Sequence, residues 1–179
     1  MIDTTVKVAD KLVGEYDIIP NPWIKEFYNE NQELVSAEFH GITAIRPVAF
    51  GGCTNLALTS LPESLTSIGD QAFGGCTNLA LTSLPEGLTS IGSQAFQNCT
   101  NLALTSLPAG VTSISDYAFF GCTSLTSIIF KGTPTTIHPS AFRNCTNLTD
   151  IKVPWSEGAV SGAPWSAANA TITYNYTGE

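Results

Sequence analysis

The sequence predicts a solenoid: a stack of about five 23-residue coils with a parallel β-sheet on one face, short helical turns, and a cap at each end. Three observations carry this. The phrase GGCTNLALTSLPE at 51–63 returns letter for letter at 74–86, and CTNLALTSLP follows at 99–108. Four independent columns keep one step of 23 residues without slippage: Cys53, Cys76, Cys99, Cys122, Cys145; Phe50, Phe73, Phe96, Phe119, Phe142; Leu56, Leu79, Leu102, Leu125, Leu148; and Ile45, Ile68, Ile91, Ile114, Ile137. An alanine precedes each of those phenylalanines. A fixed period in the twenties means that one coil cannot bury its own apolar face and stacks on its neighbour.

Residues 1–37, with NPWIKEFYNENQELV, are more charged than the rest, show no repeat, and are read as an N-terminal cap or linker. Residues 38–153 hold the repeats. Within a unit, LTSLP or LTSIIF reads as a short strand and the following LTSI or VTSI as a second extended piece. GDQAFGGC and SDYAFFGC read as a tight turn entering a helical turn, which Asp70 and Asp116 are placed to cap. Strands at identical positions in stacked coils run parallel, about 4.8 Å apart. Pro62, Pro85 and Pro108 end the ladder pairing, since proline has no amide to donate. Residues 154–179 leave the period; Trp155 and Trp165 are expected to cover the last coil, and ATITYNY to add a closing strand. Such covers hide the apolar core and unpaired backbone of a terminal coil.

These residues resemble the BspA-type leucine-rich repeats, whose units run roughly C-x-x-L-x-x-I-x-I-P and then V-x-x-I-G-x-x-A-F. CTSLTSIIF at 122–130 and LTSIGDQAF at 65–73 carry the likeness. The resemblance covers about 38–153 and implies a right-handed leucine-rich-repeat solenoid. There is a departure in the first three units. The expected apolar position holds Thr59, Thr82 and Thr105, and the apolar residue stands one earlier, at Leu58, Leu81 and Leu104. A bulge or register shift is expected there. The closing segment 154–179 looks like those of repeat proteins encoded by phages and prophages of gut Firmicutes.

Composition narrows the function classes. The 179 residues carry a formal charge of −8, only 12% are charged, and no Lys or Arg lies between Arg46 and Lys131. Nucleic acid demands clustered cations to displace counterions, and an anionic membrane attracts them for the same reason, so neither is an expected partner. No apolar run is long enough to span a bilayer. MIDTTVKVADKLVGEYD has no apolar core of the kind a secretory leader needs, and a virion-associated or extracellular location is favoured over a leader-directed one.

No catalytic, cofactor or metal site is expected. The five cysteines form a single column with no C-x-x-C, which reads as packing by small buried thiols. Asn55, Asn78, Asn101 and Asn147 form a second column, expected to be buried and to satisfy backbone groups of adjacent coils. The N-x-T patterns at Asn98, Asn144, Asn147, Asn169 and Asn175 read as by-products of the repeat spelling, and burial of Asn147 would exclude a sugar there. His40 and His138 fall in different coils without a partner at metal spacing; Glu63 and Glu86 share a column that ends at Ala109. An enzyme hidden in the caps, around Trp155, Glu157 and Trp165, would need convergent titratable groups, which the spacing does not supply.

The reading that remains is a non-enzymatic binding or adhesion module. A rigid repeat surface would meet a protein or glycan on a host or other cell surface, and family resemblance implies such adhesion. Its candidate contact residues are Ser60, Ser83, Ser106, Ser127, Thr59, Thr82 and Thr105, on exposed strand and turn positions. The alternatives are a fragment of a bacterial cell-surface adhesin, and a structural spacer or decoration protein that docks to a larger assembly through residues 1–37.

Overall fold

The computed structural model describes residues 24–28 and 33–178. Most of the expected N-terminal cap or docking segment 1–37 lies outside the described residues. The chain forms a solenoid of about six turns. Each coil passes twice through extended backbone. The first passes make a five-stranded parallel sheet from β3 (Ala44–Ile45), β4 (Ser67–Ile68), β5 (Ser90–Ile91), β7 (Ser113–Ile114) and β9 (Thr136–Ile137). Register is unbroken: Ile45, Ile68, Ile91, Ile114 and Ile137 pair in succession and point inward. One ladder position per coil holds a small Ala, Ser or Thr outward, so nothing obstructs stacking.

The second passes make a different sheet, and it starts late. It contains β6 (Ser106–Leu107), β8 (Ser127–Phe130), β10 (Asp150–Lys152) and β11 (Thr171–Thr173), in the order β11-β10-β8-β6. No strand forms at 57–62 or 80–85. The displaced leucine removes the alternation, and coil 3, with the same LALTSLP, gains a strand only at Ser106–Leu107, where coil 4 supplies a regular partner. In LALTSLP, Leu58 and Leu61 are buried with Thr59 and Ser60 both exposed between them, and Leu81 and Leu84 repeat this. Two outward residues in a row break the period of two that a ladder requires. In coil 4, LTSIIF restores it: Ser127 and Ile129 face outward, Ile128 and Phe130 inward.

The expected helical turns are a correction: among the described residues no helix forms. Two columns of left-handed residues bracket the segment in question. Val48, Gln71, Gln94 and Tyr117 stand at φ 52–59°, and Gly52, Gly75, Asn98, Gly121 and Asn144 at φ 56–78°. A right-handed helix cannot propagate through such positions. The chain instead makes successive tight turns, Ala72 N to Gly69 O, Gly74 N to Gln71 O, Cys76 N to Phe73 O, and the same in each coil. Asp70 also differs from expectation: its Oδ1 accepts the amide of Ser93 in the next coil at 2.7 Å, tying coils together rather than capping its own turn.

Both ends are covered. β1 (Ile24–Tyr28) and β2 (Leu34–Phe39) form an antiparallel pair. Ala57 N donates to Val35 O at 3.0 Å, and Phe39 meets the first ladder ring, Phe50, edge-on at 5.9 Å. At the other end, Trp155 and Trp165 are buried against Phe130, as the sequence leads one to expect, and β11 is the closing strand from ATITYNY. Trp165 Nε1 donates to Ser161 O at 2.9 Å, whereas Trp155 Nε1 is buried with no acceptor among the described residues.

Candidate binding surface

What faces inward is consumed by the fold. The phenylalanines stack in parallel with centroids 5.2–5.5 Å apart and planes within 7°. Each such pair contributes about 0.5–1.5 kcal/mol beyond burial alone. The alanine carbonyl of each coil accepts the phenylalanine amide of the coil before it, as in Phe50 N to Ala72 O and Phe73 N to Ala95 O, both 2.8 Å.

Cys76, Cys99, Cys122 and Cys145 pack buried as expected, Cys53 is half-buried, and none of the five is in a disulfide. They also do something packing does not require. Sγ of Cys76, Cys99, Cys122 and Cys145 donates to the carbonyl of Phe50, Phe73, Phe96 and Phe119 in the preceding coil, at 2.9–3.0 Å. Each of those carbonyls also takes the amide of its own coil's cysteine, so both lone pairs are occupied. Burial pushes the thiols of Cys99 and Cys145 up to about 12 and raises those of Cys76 and Cys122 well above the ordinary thiol value. Such thiols stay protonated at neutral pH, the form that is a poor nucleophile. Among the described residues no three His, Cys, Asp or Glu side chains gather as a metal site.

Outside, threonines lace the coils. Thr66, Thr89 and Thr112 donate Oγ1 to the carbonyls of Thr43, Thr66 and Thr89 at 2.9–3.2 Å. The asparagine column is a correction: Asn78, Asn101 and Asn147 are exposed, not buried, because they stand at the outer corner of the turn after cysteine. The Asn147 amide does bridge coils, donating to Thr123 O at 2.8 Å, but burial does not exclude a sugar there. The Glu63–Glu86 column gains a cation: Lys131, two coils on, pairs with Glu86.

The seven candidate contact residues lie on the second pass. Thr59, Ser60, Thr82, Ser83 and Thr105 are exposed; Ser106 and Ser127 are half-buried. They do not form one straight column. Ser106 pairs with Ile129, and Ser127 sits opposite Asp150. The amides of Thr82, Ser83 and Leu84 make no hydrogen bond among the described residues, so this face shows bare backbone as well as hydroxyls.

A second surface escaped the sequence reading. On the turn side, the column after Pro47, Asp70, Ser93, Asp116 and Pro139 reads Val48, Gln71, Gln94, Tyr117, Ser140, and the one three residues on reads Gly51, Gly74, Gln97, Phe120, Arg143. The Tyr117 and Phe120 rings meet edge-on at 5.6 Å and remain partly exposed. Beside them Gly121 N donates to Arg143 O at 3.0 Å, which sets Phe120 and Arg143 in adjacent coils. Arg143, Asn144, Cys145, Thr146, Ser166, Ala168 and Asn169 then line an open groove of about 390 Å³ between the last coil and its cap. The signal for this surface was present in the sequence as a loss of identity between otherwise copied units.

With this geometry established, comparison with known proteins becomes specific. The model of the BspA type leucine rich repeat region matches residues 25–160 in 6 copies. The chain belongs to the BspA-type leucine-rich repeat family. Among solved structures, a leucine rich cell surface protein from Faecalibacterium prausnitzii A2-165 is similar at 29% identity and TM-score 0.62 over 75% of this chain. That match takes in 38% of the F. prausnitzii chain, so this chain spans under half of that protein's length. The leucine rich repeat protein of T. pallidum matches at 25% identity and TM-score 0.62, covering 88% of this chain and 82% of its own. A leucine-rich repeat protein from Bacteroides ovatus shares the fold at 23% identity and TM-score 0.52, over 85% of this chain and 46% of that one. No curated protein matches the chain. The expected phage likeness of 154–179 finds no support in these comparisons. No helix among the described residues is long and apolar enough to cross a membrane.

Proposed function

We propose that this BspA-type repeat array is a non-enzymatic adhesion module, presented at a bacterial cell surface, that binds a protein or glycan on another surface. The observation that carries this is the division of labour just described. The inward Phe, Cys, Leu and Ile columns are committed to holding coils together, while the outward faces offer extended, preformed rows of polar side chains. A rigid array loses little conformational freedom on contact, so its contacts convert efficiently into affinity. The hydroxyl face of Thr59, Ser60, Thr82, Ser83, Thr105, Ser106 and Ser127 supplies a broad, shallow contact area on this reading. Likeness to the F. prausnitzii cell surface protein supports the location.

The test is retention of the labelled full chain on immobilised host-surface proteins, glycans and intact cells, with competition by unlabelled chain. Saturable, competable retention is expected on at least one. Its absence from all three overturns the adhesion reading and leaves the spacer role.

A further inference from the structure

We propose that the groove beside Arg143 is the ligand subsite, and that it takes a carboxylate-bearing sugar, with Phe120 and Tyr117 forming the wall against which the sugar ring packs. This rests on the adhesion reading and names its ligand class. The first observation is charge. In a chain of formal charge −8, Lys131 pairs with Glu86 and Lys152 with Asp150, whereas Arg46 and Arg143 have no carboxylate partner among the described residues, and of these two it is Arg143 that lines the groove. A planar guanidinium matches a carboxylate with two parallel hydrogen bonds.

The second observation is the pair of rings, Tyr117 and Phe120, on the ridge one coil before Arg143, next to the groove lining and not part of it. Aromatic rings offer flat faces to the C–H groups of a pyranose, and the repeat supplies rings at these ridge positions in coil 4 alone: the equivalent residues are Gln94 and Gln97 in coil 3, and Ser140 and Arg143 in coil 5. Polar groups suited to hydroxyls complete the site. Asn169 donates Nδ2 to Thr146 O at 2.8 Å, which leaves its Oδ1 to accept. Ser166 donates Oγ to Pro139 O at 2.9 Å and retains acceptor lone pairs. Asn144 holds the left-handed corner at φ 61° on the groove's edge. Cys145 also lines the groove, its Sγ donating to Phe119 O at 3.0 Å.

The repeat itself provides substitutions the fold accepts. R143Q and F120Q copy Gln97, and Y117Q copies Gln94. Calorimetric titration of the full chain would use a tetrasaccharide alternating glucuronic acid and N-acetylglucosamine, and the same tetrasaccharide with its carboxyls reduced to alcohols. The acidic sugar is expected to bind, with the reduced form about tenfold or more weaker. R143Q is expected to weaken the acidic sugar to the level of the reduced one, and Y117Q/F120Q to weaken both forms about tenfold. No binding of the acidic sugar, equal binding of the two forms, or unchanged binding in R143Q overturns the proposal. Retention of R143Q on cells at the wild-type level would also sink this subsite while leaving adhesion intact; failure of the wild type on every surface would sink adhesion itself.

Discussion

The two passes of each coil obey the same 23-residue period and yet build unlike surfaces. On the first pass, Ser67–Ile68, Ser90–Ile91 and Ser113–Ile114 stack in a sheet that runs through five coils. On the second, coils 1 and 2 carry no strand, and the sheet begins only at Ser106–Leu107. Repetition alone therefore does not make a ladder. The side chains must also alternate, and LALTSLP puts two outward residues between its buried leucines where LTSIIF puts one.

The largest expected effect separates the passes by chemistry. The buried thiols form one of the inward columns, one in each coil from Cys76 to Cys145. Their folded values lie above the ordinary 9.0, so the stability they contribute is complete below pH 9 and is lost as pH rises toward about 12. In that window each thiol contributes a slope of up to about 1.4 kcal/mol per pH unit, and the four together up to about 5 kcal/mol per pH unit. Denaturation midpoints measured from pH 8 to 11 should be flat at first and then fall steeply; a cysteine-to-alanine set at these positions should fall less.

Next in size is F96A, which removes the middle ring of the stack. About 3–5 kcal/mol of stability should be lost in urea denaturation. The coils on either side lose their ring partner together, so the transition should stay cooperative.

A smaller change sharpens the contrast on the second pass. In native hydrogen exchange, the amides of Ser83 and Leu84 should exchange near the unstructured rate, while those of Ile91 and Ile128 are protected. The double change L81S/T82I rewrites coil 2 in the alternating pattern of coil 4. It should protect the Ser83 amide and move global stability by no more than about 1 kcal/mol, one buried apolar side chain replacing another.

How much of this was legible follows from the same contrast. The inward columns, the closing strand and the two covering tryptophans could be read directly, because buried positions repeat residue type. The displaced leucines at 58, 81 and 104 were visible as a break in pattern, but not that coils 1 and 2 lose the strand while coil 3 keeps a short one, Ser106–Leu107, by pairing with coil 4. Helical turns were expected from short runs such as DQAF; Gln71 and Gly75 sit at positive φ, and no propensity scale flags a glutamine there. The second hydrogen bond to each phenylalanine carbonyl is invisible in sequence, since a thiol that packs and a thiol that donates are spelled alike. Tyr117, Phe120 and Arg143 stand in columns whose residue type changes from coil to coil, so periodicity does not mark them.

The smallest expected effect lies at a first-pass corner. Val48 is β-branched, stands at φ 59° and is 55% exposed, where the equivalent positions hold Gln71 and Gln94. V48N should relieve left-handed strain and raise the urea midpoint by the equivalent of about 1 kcal/mol or less.

The thiol-to-carbonyl clasp between coils has a consequence for how such a protein changes length. Every joint uses the same donor, the same acceptor and the same ring, so any interior unit fits any other. Duplicating or excising a whole 23-residue cassette leaves each remaining joint chemically unaltered and both lids in place. The reach of the array is thus adjustable in discrete increments, one identical clasp at a time.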